Sequence, residues 1–238
     1  MKSESVPEAK FDRRKNDLTQ IVAIDGPAGA GKSSVSKEVA RRMGMAFLDS
    51  GAMYRAATWW AMDQGVDLND PDALAQCTKE LPLEFQYEDG DLCVVVDGRD
   101  ITDQIRTPEV TRNIKYLDGL QAVRTLLVRI QRAIATRRPT VAEGRDMGTV
   151  VFPVARCKIY LDATIEERSR RRAAQLDEQG TPYDLDGLRA EIEARDNNDM
   201  TRQVAPLQKA KDAYLLDTSS LSFEEVVQEI VRRAEAAL

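Results

Sequence analysis

The sequence predicts an α/β fold, a parallel sheet flanked by helices, and three observations carry that prediction. Short apolar runs at residues 20–25, 46–48, 140–142, 157–161 and 214–216 alternate with longer segments of helical period, the pattern from which strand–helix–strand units build a parallel sheet. A glycine-rich stretch, GPAGAGKSS at residues 26–34, stands between the first apolar run and the first helical segment. Beyond the Asp70-Pro71 turn the texture changes to one helix and two alternating strands, which predicts a lobe inserted into the main core.

Residues 1–18 are polar, charged and without period, and predict a mobile tail ahead of a folded region spanning 19–238. The first strand, at 20–25, leads into a helix at 32–43, a short strand at 46–48 and a second helix at 51–62. The inserted lobe carries strands at 83–87 and 91–96 joined through Asp89-Gly90, a hairpin signal. Helices at 108–117 and 120–135 lead to the apolar run 140–142, so EGRDMG falls at the carboxyl end of a strand, where open α/β sheets place their ligands. The strand at 157–161 precedes two charged helices, at 165–179 and 184–200, separated by Gly180-Thr181-Pro182. A last strand at 214–216 precedes Ser222 and Glu225, a capping box opening the C-terminal helix.

Composition narrows the chemistry. With 238 residues, 42% hydrophobic and 31% charged, the chain is long enough for one large core with lobes. A formal net charge of −6 argues against a binder of nucleic acid polymers. No apolar stretch approaches a membrane span and the N-terminus lacks the apolar middle of a secretory signal, so the expected location is the cytoplasm. Three separated cysteines, Cys77, Cys93 and Cys157, make neither a disulfide framework nor a four-cysteine zinc site. Histidine is absent, which removes every imidazole-based triad and histidine-ligated metal site.

GPAGAGKS fits G-x-x-x-x-G-K-[ST] in the context the phosphate-binding loop requires, after a strand and before a helix. Glycines let successive N–H groups face inward, and the following helix aims its positive dipole end at the same spot. The candidate ATP-binding residues are therefore Gly26, Pro27, Ala28, Gly29, Ala30, Gly31, Lys32, Ser33 and Ser34. Lys32 is placed to reach the β and γ phosphates and the Ser33 hydroxyl to help hold Mg²⁺. The chain has no Asn-Lys-x-Asp guanine-reading motif, so a regulatory GTPase is disfavoured.

A kinase of a small phosphorylated acceptor needs a second cationic site, and candidates occur where strand–helix loops converge. LDSGAMYR places Ser50 and Gly51 at a helix N-terminus with Arg55 one turn in; standing alone, Arg55 reads as a surface charge. EGRDMG sets Arg145 beside Asp146, and RDNNDMTR sets Arg195, Asp199 and Arg202 along one helix face. For an isolated helix that face reads better as a solvated charge ladder than as a ligand grip.

Taken together, IDGPAGAGKSS, LDSGAMYR, EGRDMGTVVFP, KIYLDAT followed by ERSRRR, RDNNDMTRQVAPL and DAYLLDTSSLSFEEV resemble, in order, the signature blocks of bacterial-type cytidylate kinases over roughly residues 20–235. That resemblance implies a P-loop kinase core with an inserted monophosphate-binding lobe at about 62–125 and a helical lid at about 165–203. It implies ATP-dependent phosphorylation of CMP and dCMP with Mg²⁺, by a monomer. By similarity Ser50, Arg55, Arg145 and Arg202 would hold the acceptor phosphate, Arg195 and Asp199 would face the ribose, and Arg124 and Asp146 would read cytosine. Arg168, Arg171 and Arg172 would close from the lid over the transferring group, so that Lys32, Arg145, Asp146, Arg168 and Arg172 form the expected catalytic set. One position departs from the family pattern: Lys115 stands where a small hydroxyl residue precedes the base-reading arginine by nine positions. Either Lys115 points to solvent or its helix is shifted. The competing readings are a kinase of UMP, AMP or a non-nucleotide acid, and a regulatory module that hydrolyses ATP.

Overall fold

The computed structural model describes residues 18–88, 91–178 and 180–238. The expected tail, up to residue 17, and the Asp89-Gly90 turn lie outside the described residues. In chain order the elements begin with β1 (Ile21–Asp25), α1 (Lys32–Met43), β2 (Ala46–Asp49), α2 (Ser50–Asp63), α3 (Pro71–Lys79), β3 (Leu83–Glu88), β4 (Asp91–Val96) and β5 (Arg99–Asp100). They continue with α4 (Pro108–Asn113), α5 (Gln121–Ala135), β6 (Thr140–Gly144), β7 (Cys157–Asp162), α6 (Ile165–Glu178), α7 (Leu185–Thr201), β8 (Tyr214–Asp217) and α8 (Phe223–Ala237).

The main sheet is parallel throughout, in the order β2-β6-β1-β7-β8. β1 runs at its centre, with Ile21 opposite Thr140 and Asp25 opposite Gly144. Its residues IVAID are apolar almost without interruption because both faces are covered. Val22 and Ile24 pack with Val35 and Val39 of α1 and Val227 and Ile230 of α8. Ile21 and Ala23 point the other way, into a core with Met53 of α2, Val123 and Leu127 of α5, and Phe152. Period-two alternation thus divides one strand between two helical layers.

The residues after Asp70 form a three-stranded antiparallel sheet, β3-β4-β5, and its Val94, Val96, Ile101 and Ile105 pack on Ala52 and Ala56 of α2. The lobe therefore shares its core with a helix of the main layer. β5 was not foreseen, although Asp97-Gly98 signals it: both residues adopt left-handed backbone, φ 52° and 70°, and turn β4 back on itself. The predicted helix at 108–117 is broken instead. α4 stops at Asn113 and a tighter 3₁₀ turn, Ile114–Tyr116, carries the chain so that Leu117 is fully buried. The capping box is present, with Ser222 N donating to Glu225 Oε2 at 2.8 Å and Glu225 N to Ser222 Oγ at 3.3 Å. Among the described residues no helix is long and apolar enough to cross a membrane.

Candidate active site

The carboxyl ends of β1, β2 and β6 open into one cavity of about 1040 Å³. Its floor is the glycine-rich loop, which leaves β1 at Gly26. A Cβ at Gly26 would lie 2.0 Å from the Leu161 carbonyl oxygen, so the loop passes too close to β7 for any side chain. Gly29 and Gly31 have φ of 75° and 87°, and Gly31 is the N-cap of α1, whose first turn begins at Lys32. Loop amides and helix dipole accordingly converge on one spot.

Lys32 is buried, and its ammonium donates to the Pro27 carbonyl at 2.6 Å. Burial, together with the charge of Arg145, holds its pKa well below the ordinary lysine range. An arriving polyanion would remove that strain. Ser33 and Ser34 are exposed to the cavity at the start of α1. Facing them, Glu143 at the end of β6 is pushed up by burial and by the charge of Asp49, while Ser33 hydrogen-bonds it; its Oε1 is buried with no hydrogen-bond partner. A hydroxyl and an unsatisfied carboxylate oxygen side by side form a donor set of the hard kind that suits a divalent cation with oxygen ligands.

Across the cavity stand the cations predicted for an acceptor. Asp49 caps α2 by accepting from the Ala52 amide at 2.8 Å, and its other oxygen pairs with Arg55 Nη2 at 3.1 Å. Arg55 Nε is buried without a partner, so this guanidinium is only partly satisfied. Ser50 Oγ donates to the Glu143 carbonyl at 2.7 Å, tying α2 to β6. Arg145 Nε donates to Asp199 Oδ2 at 2.6 Å, bridging β6 to α7. Burial acts to raise the Asp199 carboxyl, yet Arg145, Arg195 and Arg202 hold it below the usual carboxylate range. Arg202 donates twice to the Ala205 carbonyl, at 2.8 and 2.6 Å. Arg195 also lines the cavity.

At the far end Arg124 and Asp146, both 3% exposed, form a hydrogen-bonded ion pair. Arg124 Nη1 also donates to the Asp118 carbonyl at 3.1 Å, and its guanidinium lies 5.4 Å from the Tyr54 ring centroid. Sequence reasoning missed Asp118 and Tyr54. Asp118 is buried, lines the cavity and pairs with Arg202 at 3.4 Å; nothing in its local sequence marks it. Lys115 sits at the exposed rim of the same end, its ammonium 5.1 Å from the Tyr116 ring centroid. The break after α4 puts it there, so the expected helix is interrupted and Lys115 is both solvent-exposed and at the cavity rim.

The α6 arginines divide. Arg171 and Arg172 line the cavity, and Arg171 also pairs with Glu167 at 2.8 Å and donates to the Thr218 carbonyl at 2.7 Å. Arg168 is buried beneath the loop and is not among the lining residues. Near Arg171 the cavity extends between the start of α1 and the β8–α8 loop, where Thr218 and Leu221 of the loop and Phe223 and Val226 of α8 line it. The block DAYLLDTSSLSFEEV marked this loop without disclosing that it lines the cavity beside the glycine-rich loop.

A phosphate-binding loop at the carboxyl end of the central strand of a parallel sheet, opposed by arginines across one cleft, defines the class of α/β P-loop small-molecule kinases. The family model for cytidylate kinase matches residues 22–236. The chain belongs to the cytidylate kinase family. It is 47% identical over 211 residues to the cytidylate kinase of Lactiplantibacillus plantarum, a match covering 89% of this chain and 92% of that protein. It is 48% identical over 217 residues to the bifunctional pantoate ligase/cytidylate kinase of Synechococcus elongatus, covering 89% of this chain but only 41% of that longer relative. Among solved structures, a shikimate kinase from Bacteroides thetaiotaomicron is similar with a TM-score of 0.45 at 12% identity, covering 91% of this chain and 96% of that one.

Proposed function

We propose that this protein phosphorylates CMP and dCMP to CDP and dCDP, using ATP. The observation that carries the reading is the placement of Arg55, Arg145, Arg195 and Arg202 around the cavity that Lys32 enters from the loop. Two polyanions repel, and bringing their phosphates into line requires positive groups on both sides in a site closed to water. Ser50, Arg55, Arg145 and Arg202 hold the acceptor phosphate, and Arg195 and Asp199 take the ribose. The loop amides and Lys32 hold the donor phosphates, and Arg172 with Arg171 reaches the transferring group from α6. Ser33 and Glu143 would hold Mg²⁺, which supplies charge neutralisation between the phosphates when bound. Phosphoryl transfer asks for positioning and charge more than for a covalent catalyst, which suits a chain without histidine.

Base choice follows from hydrogen-bond polarity. Cytosine offers an amino donor at position 4 and acceptors at N3 and O2; the Asp146 carboxylate matches the first and the Arg124 guanidinium the others. Uracil reverses two of these groups, and each mismatched buried pair costs about 1–3 kcal/mol. A coupled assay of ADP release tests the whole reading. Release that depends on CMP or dCMP supports it; release without an acceptor would point to an ATPase module, and equal turnover of UMP and CMP would remove the base assignment. The same reading makes α6 and α7 a lid over an inserted monophosphate lobe, in a cytoplasmic monomer, which sedimentation and scattering with and without both nucleotides would check.

A further inference from the structure

The α6–α7 hairpin is joined to the phosphate loop through the backbone of Ala28 and, by Arg171 Nη1 donating to the Ala30 carbonyl at 3.3 Å, through Ala30. Asp196 of α7, 6% exposed, accepts through Oδ1 from the Ala28 amide at 2.9 Å and pairs through Oδ2 with Arg168 of α6. Arg168 Nη1 donates in turn to the Ala28 carbonyl at 2.8 Å, and its Nε to the Ala163 carbonyl at 3.0 Å. The N–H and the C=O of Ala28 are thus both held by one buried carboxylate–guanidinium pair whose members lie on different helices. Packing supports the junction: Ala28 clusters with Ala173, Leu188 and Ile192, and a Cβ at Gly29 would lie 3.3 Å from Arg168 Cβ.

Neither Asp196 nor Arg168 lines the cavity, whereas Arg195 and Asp199, on either side of Asp196 in the sequence, both do. One residue step turns a helix by about 100°, so α7 presents one face to the acceptor side of the cavity and another to the donor loop. A loop that receives a polyphosphate through its amides binds best when those amides are fixed in place beforehand. We propose that Asp196 is a positioning residue: together with Arg168 it fixes the two peptides that flank the Ala28 Cα, so that the phosphate loop is formed before nucleotide arrives. The proposal rests on the reading of that loop as the ATP site. It gives Arg168 a task under the loop in place of contact with the transferring group.

The test compares Asp196→Ala and Asp196→Asn with the parent chain by calorimetric titration of MgATP, and separately of CMP, and by hydrogen exchange of the peptide covering residues 26–34. In Asp196→Ala, MgATP affinity should fall about tenfold or more and the loop amides should exchange about tenfold faster, the scale of one lost bond to a charged acceptor. CMP affinity should stay within about twofold and exchange in β6 and β7 should not change. Asp196→Asn keeps an acceptor for the Ala28 amide and should fall between the two. MgATP affinity of Asp196→Ala within about twofold of the parent would overturn the proposal, and so would a parallel fall of both affinities with faster exchange in the strands. Should Asp196→Ala not fold, Asp196→Leu combined with Arg168→Met leaves no unpaired buried charge and must show the same loss of MgATP affinity. A chain that binds MgATP but not CMP would refute the acceptor assigned above and leave this test standing, because its MgATP and exchange arms need no acceptor.

Discussion

Replacing Asp146 by asparagine isolates the group assigned to base choice. The substitution keeps the volume of a side chain that is 3% exposed and changes its charge and half of its hydrogen-bonding polarity. Arg124 would keep a neutral acceptor at position 146, the Asp118 carbonyl at 3.1 Å and the Tyr54 ring at 5.4 Å, while Arg202, 4.0 Å from Asp146, has its closer acceptor in Ala205. The stability cost should therefore sit near the low end for a buried pair, about 1–3 kcal/mol, which lowers the Tm of a chain this long by roughly 3–10 °C. On catalysis the effect should be larger for CMP than for UMP. The carboxamide can turn its NH₂ toward the uracil O4, so kcat/KM for CMP should fall about 10- to 100-fold while that for UMP holds or rises. The assay is coupled ADP release with each acceptor, together with a thermal melt of the same preparations. A CMP-to-UMP ratio within about twofold of the parent's, in a variant whose Tm moves as expected, would refute the assignment of Asp146 to the base.

Lys32→Ala should lower turnover about a thousandfold or more while Tm holds or rises, because the buried ammonium it removes has a depressed pKa and no carboxylate bonded to it in the free protein; retained turnover would contradict its role. Gly26→Ala should cost more than about 3 kcal/mol in urea unfolding, since its Cβ would meet backbone of β7 at 2.0 Å and the main chain must move. Burial pushes the Asp25 carboxyl up to about 6 against the bonds it accepts from the Met147 and Gly148 amides. Its folded pKa lies above the unfolded one, so the stability it contributes is complete below about pH 4 and is lost as pH rises through 6. Between those limits the parent should lose roughly 3 kcal/mol more than Asp25→Asn; parallel stability–pH curves from urea unfolding would contradict this.

Much of the fold could be read ahead because it depends on local signals. GPAGAGKSS names its own structure, since glycine tolerance of positive φ and a helix start are properties of a few adjacent residues. The sheet strands and the Ser222–Glu225 box were legible for the same reason. The failures were local conflicts settled at a distance. The segment at 108–117 has helical pattern, yet burial of Leu117 is met by a tighter turn that leaves Lys115 at the cavity rim. Arg55 and the 195–202 face could not be told from surface charge by spacing alone, because the partners that make them a site, Asp49 and Arg145, come from other elements.

By itself, then, the order of residues determined a parallel α/β chain with a phosphate-binding loop, a family, and the positions of most arginines that line the cleft. Tertiary structure alone decided which charges meet. It paired Arg124 with Asp146, brought the unmarked Asp118 into the cavity, and put Arg168 under the loop with Asp196 while leaving Arg172 at the cavity. The physical reason is range: helix, turn and loop propensities act over a few residues, whereas the burial and pairing of a charge depend on groups that the chain folds together from 22 to 84 positions away.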